Sequence, residues 1–300
     1  MRLRRALHQI HLWVALGLGL YVVLISVTGS IAVFRREANI WFVPRTVPAI
    51  EGERLTGEAL DAAVRRVYAD YEVVGISEPF GRRDGPDAAA RPVDVALVKD
   101  GVRTGRVFDP YGAQDLGDNF PPSVRAMEWV VDLHDNLLTG TTGRRVNGVG
   151  GALVMVLVLT GVVIWWQGRS RWWRGLVVTR APPRPVIWQL HSAVGFWSLA
   201  LLFIWAITAV YFAFPGPVEA LIDYLDENPE DFERPGDELV QQIVALHFGR
   251  FGGMGVRIAW ALLGLAPAVL FVTGFIVWRR GTSRDRHLQN SNAGASRLRR

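Results

Sequence analysis

Four of the six histidines in this 300-residue chain occupy repeated positions and are its clearest candidates for chemistry. His11 and His191 each stand two residues after a glutamine, at the beginning of a long apolar run. His134 and His247 each precede a glycine-rich stretch that leads into another apolar run. Two imidazoles that face each other in a helical bundle can supply both axial ligands of a haem. The four histidines are therefore the candidate ligands of a metal cofactor.

An internal repeat relates these histidines in pairs. The two halves of the chain, 1–168 and about 181–281, each contain two apolar runs with one histidine before each run. The positions that match without gaps are His11 with His191, Thr28 with Thr208, His134 with His247, and Thr160-Gly161 with Thr273-Gly274. Repeated helix pairs of the same polarity occur in membrane transporters. The repeat predicts one shared role for His11 and His191 and another for His134 and His247.

The elements that must position the histidines are four apolar runs without any Asp, Glu, Lys or Arg: Leu12–Phe34, Gly148–Trp166, Ser192–Phe214 and Ile258–Trp278. A run of about 20 apolar residues is long enough to cross a hydrocarbon layer of roughly 30 Å as a helix. We expect four transmembrane helices, with breaks or bends in the glycine-rich stretches after His134 and His247. In such a bundle His11 and His191 share one depth, and His134 and His247 share the other.

The charges predict how the chain is oriented. The link between the second and third runs carries five arginines and no acid, namely Arg169, Arg171, Arg174, Arg180 and Arg184. The tail is also rich in arginine, whereas Pro215–Leu246 holds nine acids and one base. Short basic loops remain in the cytoplasm. We therefore expect both termini and the link in the cytoplasm, with Arg35–Asn147 and Pro215–His247 outside, and we assign the net charge of +5 to the membrane rather than to nucleic acid.

Composition limits the chemistry further. The absence of cysteine excludes thiolate-ligated iron–sulfur clusters and covalently attached c-type haem. Two imidazoles without a nearby cysteine or carboxylate do not complete a tetrahedral zinc site. No complete phosphate-binding glycine loop is present, so electrons would come from a separate cytoplasmic reductase or from quinol. A single histidine at a membrane interface is more often a polar anchor than a ligand, so the haem interpretation depends on the repeated pairing.

The segment between the first two apolar runs has the pattern of a small α+β domain. The stretch TGEALDAAVRRVYADY predicts an amphipathic helix with Thr56 at its N-cap. Three later stretches, VVGISEPF, PVDVALVKDG and TGRVFDPYGAQDLG, predict strands joined by turns at KDG and DPYG. The stretch GRRDGPDAAARP predicts a loop. A further helix over 121–138 would then deliver His134.

Several stretches resemble the PepSY-associated transmembrane helix family, which includes iron-regulated membrane proteins and ferrisiderophore reductases. They are LHQIHLWVALGLGL, VTGSIAVFRRE, DLHDNLLTGTTGRR, LTGVVIWW, WQLHSAVGFW, LHFGRFGGMGVRIAWALLG and VTGFIVWRR, and the segment ending in VFDPYGAQDLG is similar to a PepSY domain. The resemblance implies a multi-pass inner-membrane cytochrome with two b-type haems, a membrane ferric (siderophore) reductase that passes electrons to a periplasmic acceptor. It places the haem ligands on His11, His134, His191 and His247. This chain departs from the family pattern at Ala209, where a glycine is expected after Thr208.

The predicted fold class is an all-α bundle of four transmembrane helices, made of two duplicated helix pairs, with a PepSY-like α+β domain inserted between helices 1 and 2. The predicted segments are transmembrane helix 1 in 1–36, the periplasmic domain in 37–120, a periplasmic helix and transmembrane helix 2 in 121–168, the cytoplasmic link in 169–187, transmembrane helix 3 in 188–214, the acidic periplasmic loop in 215–246, transmembrane helix 4 in 247–281 and the cytoplasmic tail in 282–300.

Two other functions are open at this point. The chain could be a non-enzymatic PepSY module, tethered to the membrane and binding an envelope partner, which would contain no haem. It could also be a solute transporter, which the parallel repeat suggests. The transporter is the weaker alternative, because ion-coupled carriers usually need an ionisable group within their membrane-spanning runs.

Overall fold

A computed structural model of the chain describes residues 2–44, 46–50, 52–77, 90–166, 176–179, 185–225 and 235–297. The described part is mostly helical with one four-stranded antiparallel sheet. The helices are α1 (Arg2–Ala32), α2 (Arg35–Phe42), α3 (Gly57–Val67), α4 (Pro122–Asn136), α5 (Thr141–Trp165), α6 (Val186–Trp197), α7 (Leu199–Ala213), α8 (Pro215–Leu225), α9 (Pro235–Phe248), α10 (Met254–Gly264) and α11 (Ala266–Arg297). The strands are β1 (Glu72–Ser77), β2 (Val93–Lys99), β3 (Val102–Asp109) and β4 (Gln114–Asp118). The chain divides into two compact units, of which Phe34–Trp129 is one and the flanking segments are the other.

The helical unit contains the candidate membrane spans. Among the described residues, three helical stretches are long and apolar enough to cross a membrane, and a bent pair makes a fourth if it counts as one span. The three are Arg2–Ala32, Thr141–Trp165 and Met254–Gly281. Their side chains are largely exposed on the protein surface, as expected for helices in contact with lipid. The chain is therefore a multi-pass membrane protein.

The third apolar run differs from the single straight helix expected for it. It forms α6 and α7, which meet at Ser198 with a bend of 62°. No proline lies at the bend, but the Ser198 hydroxyl donates to the Val194 carbonyl at 2.6 Å. Such a bond to the preceding turn competes with the backbone ladder and bends helices. The bend gives α6 a packing contact with α11 and α7 one with α5.

The breaks expected in the two glycine-rich stretches are present. After α4, Leu137, Leu138 and Gly140 all have positive φ, and α5 begins at Thr141. After α9, Gly249 has a φ of 63° and α10 begins at Met254. A left-handed residue reverses the chain after a helix because it cannot continue the helical ladder. As a result, His134 and His247 each lie in the last turn of a short helix, before the break.

Small residues set the close approach of the helices in this unit. A Cβ added at Gly151 would lie 2.9 Å from the Ala206 carbonyl oxygen and 2.9 Å from the Ala209 Cβ, which shows how tightly α5 meets α7. At the contact of α1 with α10, the Ser26 hydroxyl donates to the Gly264 carbonyl at 2.6 Å. Close packing over small residues and hydrogen bonds from serine are the usual means of helix association in membranes.

The other unit contains the sheet, in the order β1-β2-β3-β4, with α3 packed on one face. Alternate residues of β2 point into its core, where Val93, Val95 and Leu97 are almost fully buried with Phe108 of β3. This alternation is the period of a strand with one covered face. Asp100 and Gly101, both at positive φ, form the two-residue turn between β2 and β3. The helix, strands and turn expected from the sequence are thus confirmed.

A cluster of polar side chains joins the end of α3 to strands β3 and β4 of this unit. The Tyr68 hydroxyl donates to Asp115 Oδ1 at 2.8 Å, and Arg106 Nε donates to the same oxygen at 3.1 Å. Burial by itself would raise the pKa of Asp115, but the hydrogen bonds from Arg106 and Tyr68 and from the Gly117 N–H outweigh burial and lower it. At pH values above the ordinary carboxyl pKa, the ionised Asp115 therefore stabilises the folded unit. This contribution is lost as the pH falls through the lowered pKa of Asp115.

Some of the sequence expectations fall on residues that are not described. The five arginines of the link, Arg169, Arg171, Arg174, Arg180 and Arg184, lie outside the described residues. The same holds for most of the expected loop 81–92 and for the centre of the acidic loop at 226–234.

Candidate functional site

The structure brings His134 and His247 together at one end of the helical unit. Their ring centres are 6.5 Å apart, with an angle of 55° between the ring planes. Two imidazoles on opposite sides of one metal ion, each with a bond of about 2 Å, have ring centres roughly 6 Å apart. Phe212 and Phe248 surround His247, with ring centres at 5.3 Å and 5.2 Å. The separation of the two rings would thus allow both to bind one metal ion between them, in an apolar setting.

Burial favours the uncharged form of both histidines of this pair. Burial lowers the pKa of His247 to about 3, and the neighbouring His134 adds to the effect. Burial also lowers the pKa of His134, more than the Ile25 carbonyl and Asp135 raise it. A neutral imidazole has one nitrogen with a free lone pair, which is the form that binds a metal ion.

His134 Nδ1 lies 3.0 Å from the Ile25 carbonyl oxygen and 3.4 Å from Thr28 Oγ1, both on α1. A carbonyl oxygen can only accept, so His134 carries its proton on Nδ1 and leaves the Nε2 lone pair free. His247 Nδ1 forms a hydrogen bond with Thr208 Oγ1 on α7.

The second pair lies at the opposite end of the same unit. His191 Nδ1 is 3.0 Å from the Leu270 carbonyl oxygen and 3.0 Å from Thr273 Oγ1, both on α11. His11 Nδ1 is 3.0 Å from Thr160 Oγ1 on α5. The imidazoles of His11 and His191 are near enough to interact electrostatically. The Leu270 carbonyl again places the proton on Nδ1 and leaves Nε2 free.

The distance between the two pairs follows from α1, which contacts both. His11 and Thr28 are separated by 17 positions along this unbroken helix, which corresponds to about 25 Å at 1.5 Å per residue. If α4 and α5 formed one uninterrupted helix, His134 would lie too far from His11 and His191 for both pairs to fit within one bilayer. The break after α4 removes this difficulty, because His134 turns back onto Ile25 and Thr28. Both pairs therefore lie within the length of one membrane-spanning helix.

Glycines beside the threonines give the imidazoles their room. A Cβ added at Gly29 would lie 2.6 Å from His134 Cε1, and one at Gly274 would lie 3.1 Å from His191 Cε1. The corresponding distance from Gly161 to His11 Cε1 is 3.4 Å. At three of the four matching positions, the structure thus explains the Thr-Gly dipeptide. The threonine contacts the ring nitrogen of the histidine, and the glycine leaves room for the ring carbon. The fourth position is Thr208-Ala209, and the Ala209 side chain instead faces Gly151.

These residues suit haem better than a bare metal ion. Among the described residues, no cluster of three or more His, Asp or Glu side chains could hold a metal. Each pair offers two imidazoles and, within the described residues, no further ligand, which suits a cofactor that brings its other metal ligands with it. His134 and His247 would hold one haem, and His11 and His191 would hold the other.

Other polar residues near His134 and His247 have structural partners. Asn147 Nδ2 donates to the carbonyls of His134 and Asp135, each at 2.7 Å, and so satisfies the last turn of α4. Trp260, its match in the repeat, donates from Nε1 to the Leu246 carbonyl at 2.7 Å. Arg144 forms an ion pair with Asp135. Neither the role of Asn147 nor the hydrogen bonds between the threonines and the imidazoles were recognised in the sequence. The repeated Thr-Gly dipeptide was the signal that could have revealed the threonines.

Comparison with known families agrees with the multi-pass membrane fold. The profile of the PepSY-associated TM region matches residues 8–235 and 223–280, which is most of the chain. Comparison with curated proteins gives no match. The matched ranges contain all four histidines and the four threonines beside them. This chain therefore belongs to the family of the PepSY-associated TM region.

Proposed function

We propose that this protein is a b-type cytochrome with two haems that carries electrons across the bacterial inner membrane. The observation that supports the proposal is that four repeat-related histidines converge into two pairs, one at each end of the helical unit. One pair is spaced at 6.5 Å between ring centres. In each pair, one histidine comes from each half of the repeat. The Ile25 carbonyl accepts from Nδ1 of His134, and the Leu270 carbonyl accepts from Nδ1 of His191, which leaves Nε2 of both rings free.

The roles of the residues follow from this geometry. Haem, when bound, supplies the reversible one-electron change of its iron. His11 and His191 would hold one haem at one end of the helical unit, and His134 and His247 would hold the other haem at the opposite end. The apolar side chains around His247 exclude water and so favour neutral imidazoles as ligands.

The proposed direction is from the cytoplasm to the periplasm. The arginine-rich link and tail support a cytoplasmic position for both termini and for the pair His11–His191. This pair is therefore the inner site of the proposal, and the pair His134–His247 is the outer site. The donor would be a cytoplasmic reductase or quinol, which gives up electrons one at a time. The acceptor would be ferric iron, proposed here as a siderophore complex, and each ferric ion takes one electron to become ferrous. Arg35–Asn147, with the sheet-containing unit, would face the periplasm, inserted between the first two of four transmembrane helices.

The test is to purify the full chain in detergent and measure its haem content and its reduced-minus-oxidised spectrum. We expect two low-spin haems per chain. H11A and H191A should each remove the same haem, H134A and H247A should each remove the other, and the double variant H11A/H191A should lose no more than either single variant. H8A is the matched control, since His8 is exposed on the same helix as His11 and should be dispensable.

A well-folded wild-type chain that contains no haem and takes up none when haem is added would contradict the proposal. That outcome would favour the tethered module that binds an envelope partner. If two haems are present, mixing the reduced protein with a ferric siderophore tests the acceptor, because the haem bands should reoxidise in step with formation of ferrous iron.

A further inference from the structure

Each of the four candidate ligands has a threonine at its Nδ1 atom. Thr160 contacts His11 and Thr273 contacts His191, each at 3.0 Å. Thr28 lies 3.4 Å from His134 Nδ1, and Thr208 bonds to His247 Nδ1. Each threonine comes from the same half of the repeat as its histidine, and the threonines match one another across the repeat as the histidines do.

The direction of these hydrogen bonds is fixed by the helices that carry the threonines. Each threonine hydroxyl donates to the carbonyl four residues earlier: Thr160 to Val156 at 2.6 Å, Thr273 to Val269 at 2.7 Å, Thr28 to Leu24 at 2.7 Å and Thr208 to Ile204 at 2.8 Å. A hydroxyl has a single proton, and that proton is used within the helix. The oxygen can therefore only accept from the imidazole, and Nδ1 must be the protonated nitrogen.

We propose that these threonines are positioning residues that hold each haem ligand in the Nδ1–H tautomer and strengthen it as a donor to iron. The proposal rests on the proposed function, because it assumes that the histidines bind haem. A hydrogen bond from Nδ1–H to an acceptor orients the ring and raises the basicity of Nε2. A more basic ligand favours ferric over ferrous iron, so the threonines lower the haem potential.

The four positions are not equivalent, and the difference makes the proposal specific. His134 and His191 also have a backbone carbonyl at 3.0 Å from Nδ1, supplied by Ile25 and Leu270. His11 likewise interacts with the Leu157 carbonyl. In the described part of the chain, the only acceptor at His247 Nδ1 is Thr208 Oγ1. Loss of the hydroxyl at Thr208 therefore leaves a buried N–H without an acceptor. Loss of the hydroxyl at Thr28 leaves the Ile25 carbonyl in place.

The test compares three variants that all act on the same haem: T208V, T208S and T28V. In T208V we expect the affinity of the outer site for haem to fall about 10- to 100-fold, the range found when such second partners of metal ligands are removed. We also expect the midpoint potential of that haem to rise. The rise is about 59 mV for each factor of ten by which the affinity for ferric haem falls more than the affinity for ferrous haem. T208S keeps the oxygen and should stay near wild type, and T28V should change both quantities less than T208V.

The readouts separate this role from a merely structural one. A loss of packing alone would lower haem content in T208V and T208S alike and would leave the potential unchanged, and that result would overturn the proposal. Equal effects of T208V and T28V would also overturn it, because the Ile25 carbonyl should protect His134. If T208V does not accumulate, T208A removes the same hydroxyl with a smaller side chain and carries the same expectation. A wild-type chain without haem would refute the proposed function, whereas a wild type with two haems and an unaffected T208V would refute only this inference.

Discussion

A single added methyl group at Gly29 should displace His134 and weaken the outer site. A Cβ at this position would lie 2.6 Å from His134 Cε1 and 3.0 Å from its Nδ1. Ordinary contacts between carbon atoms are about 3.5–4.0 Å, so the ring must move by roughly 1 Å. His134 Nδ1 is bonded to the Ile25 carbonyl at 3.0 Å, and the movement would stretch or break this bond.

The magnitude follows from the cost of overpacking. An inserted methyl that forces such a shift costs about 1–3 kcal/mol, which corresponds to a roughly 5- to 150-fold loss of haem affinity if the strain falls on the ligand. Gly17→Ala is the matched control, because Gly17 lies on the same helix and a Cβ there would meet nothing within 4 Å. Any gain in helix propensity from alanine is common to both variants and cancels in the comparison.

The assay is titration of haem into the cofactor-depleted chain, with the two sites distinguished by H134A as a reference. G29A should bind the outer haem more weakly than G17A and should bind the inner haem equally well. Indistinguishable titrations for G29A and G17A would refute the reasoning, because they would mean that His134 does not need its observed position to bind haem.

Three further predictions concern other parts of the chain. Tyr68→Phe should increase hydrogen exchange in the sheet-containing unit, with a loss of stability of about 1 kcal/mol, and the effect should shrink as the pH falls through the lowered pKa of Asp115 and its carboxylate becomes protonated; a difference that does not vary with pH would speak against the Tyr68–Asp115 bond. Asn147→Leu should free two carbonyls at the end of α4 and lower outer haem content while the inner haem remains; equal loss of both haems would contradict the local role. Because the chain has no cysteine, Val102→Cys, at a 65% exposed position, should be labelled by an impermeant thiol reagent from the periplasmic side, and labelling only after lysis would reverse the proposed orientation.

The positions of the histidines could be expected from the sequence because the repeat determined them. A gap-free match places residues at equal depths in any fold that respects the repeat, and His134 and His247 are indeed neighbours. The helix, strands and turn of the other unit were equally accessible, because alternation and an Asp-Gly turn are local signals. These features need no knowledge of how distant parts of the chain pack.

The features that could not be expected depend on such packing. The bend of 62° at Ser198 has no counterpart in α1, although the two stretches match in the repeat. A serine hydroxyl can point to lipid or back to its own helix with little local preference, so composition does not predict the bend. The contacts of the threonines with the histidines were also hidden, since Thr28 and His134 are more than 100 residues apart.

The pairing of the histidines has a consequence for the origin of the fold. Each ligand bonds to a threonine of its own half, but each site takes one histidine from each half. This is the arrangement of a symmetric homodimer of a two-helix protein, with its twofold axis along the membrane normal and both histidine pairs shared between identical subunits. Fusion of the two copies into one chain would have released each from the need to remain identical. Asn147 and Trp260 differ at one pair of matching positions, and Gly29 and Ala209 differ at another, as expected if the two copies then diverged.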